Sequence, residues 1–248
     1  MAKTIKYELI RHKFTFIILS CILGGAELLF LIGTTPSATV MGLMLIYAAG
    51  MAAYFTIWLL GLISFSRDLR EKSGYMIFLT PVSSYTIIFS KIIAALLELA
   101  VAAVALVGLA FLDMQIASSR FSRSMDFLRE FSSLLDTTTD RVWSVFLSIW
   151  ITGLFTTLTL YAIAYFGSAL AAMSTQSKGG RRWLSVGIIF GILIVYTIIA
   201  KSLPEISVRS DVLFRELIER IPNIIFALAV SAGCTYATGY LMEKKISL

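Results

Sequence analysis

Residues 38–63 read ATVMGLMLIYAAGMAAYFTIWLLGLI, twenty-six consecutive positions without a charged side chain. An α-helix rises about 1.5 Å per residue, so this run is long enough to cross the roughly 30 Å hydrocarbon core of a bilayer. Uncharged apolar runs of this length are typical of membrane-spanning helices. The stretch therefore predicts a transmembrane span.

Five further stretches of the chain have the same character. The six predicted spans cover residues 14–32, 38–63, 86–112, 142–173, 183–200 and 221–242. The composition agrees, because 58% of the residues are hydrophobic and 15% are charged, against roughly 45–50% and about 25% in soluble domains. We therefore predict an all-α polytopic membrane protein, with 1–248 as a single transmembrane domain. Disordered chains and ordinary cytosolic enzymes are excluded.

The distribution of basic residues predicts the topology. Six spans place both termini on one side, and that side carries thirteen Lys and Arg residues against eight on the other. The positive-inside rule then predicts cytoplasmic N- and C-termini. The formal charge of +6 is accordingly interpreted as topology, and no nucleic-acid partner is predicted. Asp113 falls among the acidic residues predicted to lie outside.

Three segments between the spans have amphipathic patterns. Residues 3–13 place Ile5 and Leu9 among basic side chains, which favours a helix on the inner leaflet over a plain basic flank. In residues 119–135 and 208–221, apolar side chains recur at helical spacing with charged side chains between them. We predict that they form amphipathic outer helices before the fourth and sixth spans; the alternative is that they simply cap the outer face.

The inner loop after the second span differs from a solvated connector. Residues 66–85 read SRDLREKSGYMIFLTPVSSY, a charged turn followed by an apolar patch. A polar rim beside an apolar anchor is the usual anatomy of a protein interface, although the patch could also pack under its own bundle. The predicted contact residues are Arg67, Asp68, Arg70, Glu71, Lys72, Gly74, Tyr75, Met76 and Phe78.

This loop also carries a family resemblance. The segment Glu71-Lys72-Ser73-Gly74-Tyr75, followed by Ser83-Ser84-Tyr85 and Lys91, resembles the loop between the second and third spans of ABC-2 type transporter permeases, including the ABCG half-transporters. The span count, the basic N-terminal helix and the outer segment before the last span extend the resemblance along nearly the whole chain. In size and style the chain is also similar to the permeases that export phenol-soluble modulins.

The resemblance implies partners and a mechanism. The loop would hold a coupling helix that rests in a groove of an ABC ATPase subunit. No G-x-x-x-x-G-K-[ST] motif occurs in the sequence, so ATP and Mg would be bound by that separate subunit, with no cofactor, metal or catalytic residue on this chain. A bacterial plasma-membrane location, surrounding lipid and a second permease copy are also implied. Gly187 and Gly191 form a G-x-x-x-G pattern, and related permeases dimerise through their first and fifth spans.

Polar and aromatic residues inside the spans suggest a substrate pathway. Charge in the membrane is costly, so an ionisable residue there indicates a functional site or a structural polar contact. The candidate residues are Glu27, Tyr47, Tyr54, Phe55, Trp58 and Glu98. The aromatic wall favours an amphipathic cargo such as a peptide, a lipid or a drug.

The alternative function is an ion-coupled secondary transporter that uses Glu27 and Glu98. Such folds usually contain internal repeats, and the sequence shows none. Lys91 precedes Glu98 by two helical turns, too far for a direct pair within one helix. His12, the only histidine, is expected at the surface.

Overall fold

We describe a computed structural model of the chain over residues 2–33, 35–69, 83–120, 139–174, 178–204 and 215–245. Within these ranges the regular elements are all α-helices. They are α1 (Ala2–Arg11), α2 (Lys13–Ile32), α3 (Pro36–Asp68), α4 (Ser84–Arg120), α5 (Thr139–Ser174), α6 (Lys178–Ser202), α7 (Arg215–Glu219) and α8 (Ile221–Lys245).

Six of these helices are long and apolar enough to cross a membrane, which confirms the predicted span count. They are α2, α3, α4, α5, α6 and α8. The chain is therefore a multi-pass membrane protein. Trp183, in the second turn of α6, is 78% exposed.

All six spanning helices extend beyond the predicted bounds, and α3, α4 and α5 are the longest. The helices α3, α4 and α5 contain 33, 37 and 36 residues, which corresponds to about 50–55 Å each. They exceed the roughly 30 Å hydrocarbon core, so part of each lies beyond it. The prediction ended the third span at residue 112 because Asp113 interrupts the apolar run. A charged residue ends an apolar run without ending a helix.

The predicted amphipathic segments are only partly described. Residues 2–11 are helical, and the placement of this helix on the inner leaflet stays a prediction. Most of 119–135 lies outside the described residues. Helix α4 ends at Arg120, and the next described residue is Thr139, the first of α5. Of 208–221, residues 215–219 form the short helix α7, and residues 208–214 lie outside the description.

The chain divides into two compact units. Unit 1 comprises residues 1–5, 60–96 and 140–248, and unit 2 comprises residues 6–59 and 97–139. The division falls within α1, α3 and α4, so three helices contribute to both units.

Buried tyrosines and small polar groups organise unit 1. Tyr161 and Tyr165 on α5 are fully buried. The Tyr165 hydroxyl donates a hydrogen bond to the Gly61 carbonyl of α3 at 3.0 Å. On the same helix α5, the Thr159 hydroxyl donates to the Ala227 carbonyl of α8 at 3.1 Å. The Ser168 and Ser185 hydroxyls of α5 and α6 lie 3.3 Å apart. These contacts satisfy polar groups that lipid could not.

Unit 2 has an apolar core between α2, α3 and α4. Ala26, Phe30 and Ile46 are its buried centre, with Leu43, Ala49 and Ile116 packed around them. Gly42 permits the close approach of α2 and α3, because an added β-carbon would lie 2.8 Å from the Cα of Phe30. Small residues allow this kind of helix contact in membranes.

We predict that Gly61→Ala destabilises unit 1. An alanine β-carbon would lie 2.6 Å from the hydroxyl oxygen of Tyr161 and 2.7 Å from its Cζ, and overpacking of this kind costs about 1–3 kcal/mol. The measurement is thermal unfolding of the purified chain in detergent. Gly153→Ala is the matched control, because nothing lies within 4 Å of its β-carbon position. An equal melting temperature for the two variants would contradict the predicted clash.

Candidate functional site

The description covers two of the nine residues predicted to contact an ATPase. Arg67 is exposed in the last turn of α3, and Asp68 is buried at its end. The other seven lie outside the described residues, within 70–82. The described part of this site is therefore the base of the loop, where α3 ends and α4 begins.

A buried ion pair joins the two helices at this base. The Lys91 ammonium lies 2.5 Å from Oδ2 of Asp68, and each side chain is 1% exposed. Asp68 is the last residue of α3, and Lys91 lies two turns into α4. Since burial of either charge alone carries a desolvation cost of several kcal/mol, the pair holds the two helices together. The sequence excluded Glu98 as a partner of Lys91 and did not identify Asp68.

A third helix contacts the same point. The Arg181 guanidinium of α6 donates a hydrogen bond from Nη1 to the Leu69 carbonyl at 3.3 Å. A cation at this position favourably meets the negative end of the α3 dipole. Arg181 belongs to the basic stretch 178–182, which is the second candidate for contact with a cytoplasmic partner. The residue after α3 and the first turn of α6 therefore meet at one point.

Aromatic packing supports the cluster from within unit 1. The rings of Phe65 and Tyr165 stack with centroids 4.6 Å apart, and both side chains are fully buried. On the other side of the loop, the Ser83 hydroxyl accepts a hydrogen bond from the Thr86 backbone N–H at 3.4 Å, which caps the start of α4. We call Phe65, Asp68, Lys91, Tyr165 and Arg181 the loop-base cluster. It joins α3, α4, α5 and α6.

Glu98 has a partner that the sequence did not reveal. Nδ1 of His12 lies 2.9 Å and 3.0 Å from the two carboxylate oxygens of Glu98. Because a carboxylate only accepts hydrogen bonds, Nδ1 carries the donated proton. The Glu98 side chain is 2% exposed and that of His12 13%. The expectation of a surface histidine was wrong, because the start of α2 lies against α4.

Glu27 is also paired. Its carboxyl group lies close enough to that of Asp113 on α4 to interact with it. The prediction counted Asp113 among the acidic residues of the outer loops, whereas it is 1% exposed within a helix that continues to Arg120. The buried atoms without a hydrogen-bond partner in the described part of the chain include Oε2 of Glu27 and Oδ2 of Asp113.

The two pairs have the same register. His12 and Glu27 are fifteen residues apart on one side of the contact, and Glu98 and Asp113 are fifteen apart on the other. The two helices are therefore parallel in unit 2, with polar contacts separated by about 22 Å along their length. Each glutamate therefore has a partner on the neighbouring segment. Such a partner lowers the cost of placing an ionisable group in a membrane.

The predicted aromatic wall lies on α3 within unit 2. Tyr47, Tyr54 and Phe55 are exposed, and the rings of Phe55 and Trp58 stack with centroids 5.5 Å apart. Tyr47 is close enough to Asp113 to interact with it electrostatically. The substrate role of the wall stays a prediction.

The glycines predicted at a dimer contact lie on α6. Gly187 and Gly191 are exposed, and nothing in the chain lies within 4 Å of either β-carbon position. The surface beside them is therefore open to another helix.

Among the described residues, no three His, Cys, Asp or Glu side chains form a group that could hold a metal ion.

Comparison with known proteins gives no identification, since no family model, curated protein or solved structure matches this chain.

We predict that Lys91→Met strongly destabilises the fold. Removal of one partner from a buried ion pair leaves the Asp68 carboxylate uncompensated, which costs about 3–5 kcal/mol. Adding Asp68→Leu should recover part of that loss, because an apolar pair needs no compensation. Thermal unfolding in detergent measures both effects. Lys201→Met, at an exposed lysine of the same unit, is the control, and equal melting of the two single variants would contradict the role of the ion pair.

Proposed function

We propose that this chain is the transmembrane permease subunit of an ATP-driven exporter of the ABC-2 type. The loop-base cluster is the observation that supports the proposal most strongly. Seven of the nine residues predicted to meet the ATPase lie in 70–82, and the helices on either side of that segment are joined by the Asp68–Lys91 pair. A force on the loop therefore acts on α3 and α4 together, as a coupling element requires.

The proposed mechanism assigns the chemistry to the partner. ATP and Mg bind to a separate ABC ATPase subunit, and closure of the ATPase dimer pushes the loop. The Arg181 contact with the Leu69 carbonyl carries the displacement to α6. The membrane helices then change from an inward-open to an outward-open arrangement. No covalent step occurs on this chain.

The proposed cargo is amphipathic, such as a small amphipathic peptide, a lipid or a drug. The exposed aromatic side chains of α3, with few polar groups beside them, favour binding by apolar area rather than by specific hydrogen bonds. We place the exporter in the bacterial plasma membrane, with both termini cytoplasmic. It works as a homodimer or as a pair of half-transporters.

An ion-coupled secondary transporter is the second candidate. The contacts of Glu27 with Asp113 and of His12 with Glu98 support it, because paired ionisable groups within spans are typical of ion pathways. The two functions differ in their energy source. Cargo export from proteoliposomes that requires ATP and the ATPase supports the exporter, whereas export driven by an ion gradient alone supports the transporter.

We predict that Glu71→Gln combined with Tyr75→Ala uncouples the permease from its ATPase. Aromatic anchors contribute a disproportionate share of binding energy at interfaces, and Glu71 matches the acidic residue of the family loop. The variant should insert into the membrane and dimerise as the unmodified chain does. Co-purification of a co-expressed ABC ATPase subunit, and cargo-stimulated ATP hydrolysis, are the measurements.

The matched control is Arg70→Ala, which removes only a charge at the rim of the loop. It should retain more of both activities than the double variant. Full retention of co-purification and hydrolysis by the double variant would indicate that the ATPase does not bind at this loop. The basic stretch 178–182 would then be the next candidate.

We predict that Gly187→Leu and Gly191→Leu weaken the permease dimer. The open space at both positions means that leucine is tolerated within one chain, so an effect on assembly reports a contact between chains. Loss of close helix packing should cost about 1 kcal/mol or more. Cysteine crosslinking across the dimer measures it, with Gly108→Leu as a control at an equally open glycine. Unchanged crosslinking in both variants would exclude these glycines from the interface.

A further inference from the structure

The contact between Glu27 and Asp113 presents a chemical difficulty. The two carboxyl groups lie close enough to interact, yet an ionised carboxylate has no hydrogen to donate to the other. Oε2 of Glu27 and Oδ2 of Asp113 are buried, with no hydrogen-bond partner among the described residues. Two adjacent negative charges in a membrane span would also repel each other. Something positively charged must therefore belong to the pair.

Among the described side chains around the pair, none is a cation that interacts with either carboxyl group. Residues 36–59 of α3 contain no charged side chain, and Tyr47 on that helix interacts with Asp113. Along α2 and α4, His12, Lys13 and Glu98 are about four turns away.

We infer that Glu27 and Asp113 form a proton-binding site, in which one proton is shared between a carboxylic acid and a carboxylate. The proton supplies the missing donor, and the resulting O–H···O⁻ hydrogen bond is among the stronger kinds in proteins. It also removes one of the two charges from the span. The reasoning uses only contacts inside unit 2, so it does not rest on the proposed exporter function.

The shared proton makes the contact between α2 and α4 at Glu27 and Asp113 dependent on pH. At the far end, the Nδ1 proton of His12 already satisfies Glu98 at 2.9 Å and 3.0 Å. Between Glu27 and Asp113, loss of the proton converts attraction into repulsion and separates α2 from α4. Release of the proton is therefore linked to opening of the helix pair at this end. A proton that returns from solvent closes it again.

Infrared spectroscopy of the full-length chain in lipid nanodiscs tests the site. A protonated carboxylic acid has a carbonyl band that is absent from carboxylates, and the band shifts when the sample is transferred to heavy water. We expect one such band in the unmodified chain, and a reversible loss of it as the pH is raised. Because one proton serves both groups, Glu27→Gln and Asp113→Asn should each remove the whole band. Glu98→Gln, which alters the carboxylate that already has a donor, should leave it unchanged.

Three results would overturn the inference. Removal of half the band by each variant would indicate two independent acids rather than a shared proton. Absence of the band from the unmodified chain at mildly acidic pH would show that both groups are ionised. Loss of the band at neutral pH in sodium chloride, but not in choline chloride, would assign the site to a metal cation. If a variant fails to fold, the pH titration of the unmodified chain decides the question.

Discussion

Lipid supplies no hydrogen bonds, so a polar side chain in a membrane span must find its partner within the protein. This constraint explains the main contacts between the helices. Within the spans, Glu98 pairs with His12 and Glu27 interacts with Asp113; Asp68 pairs with Lys91 where α3 and α4 extend beyond their apolar runs. Each pair joins residues on different helices, so the positions of charge in the sequence determine which helices lie together. The apolar residues around them make a span possible but do not specify its neighbour.

The sequence predicted the spans well and the contacts between them poorly. An uncharged run such as 38–63 requires a helix in a bilayer, and six such helices are present. A partner 86 residues away, as Glu98 is from His12, leaves no local pattern. One signal was available: the interval of fifteen residues from His12 to Glu27 recurs from Glu98 to Asp113. Matching intervals of polar residues in two spans indicate parallel neighbours.

The candidate site was harder to predict than the spans because its chemistry depends on helix length. The length of an apolar run reflects the thickness of the membrane. Helix α3 continues beyond its apolar run to Asp68, and α4 begins before its own apolar run, at Ser84. The Asp68–Lys91 pair lies in these extensions, where charged residues had been interpreted as loop. Of the predicted contact surface, Asp68 is buried rather than presented to a partner.

The pairs differ in what they allow the helices to do. Asp68 and Lys91 carry opposite charges and are both buried, so they suit a fixed connection that transmits force. Two carboxyl groups attract each other only while they share a proton, so Glu27 and Asp113 suit a contact that opens and closes. The proposed transport function would need both kinds of contact, because rigid helices must move as bodies while the contacts between them separate. Here the fixed contact lies in unit 1 and the separable one in unit 2.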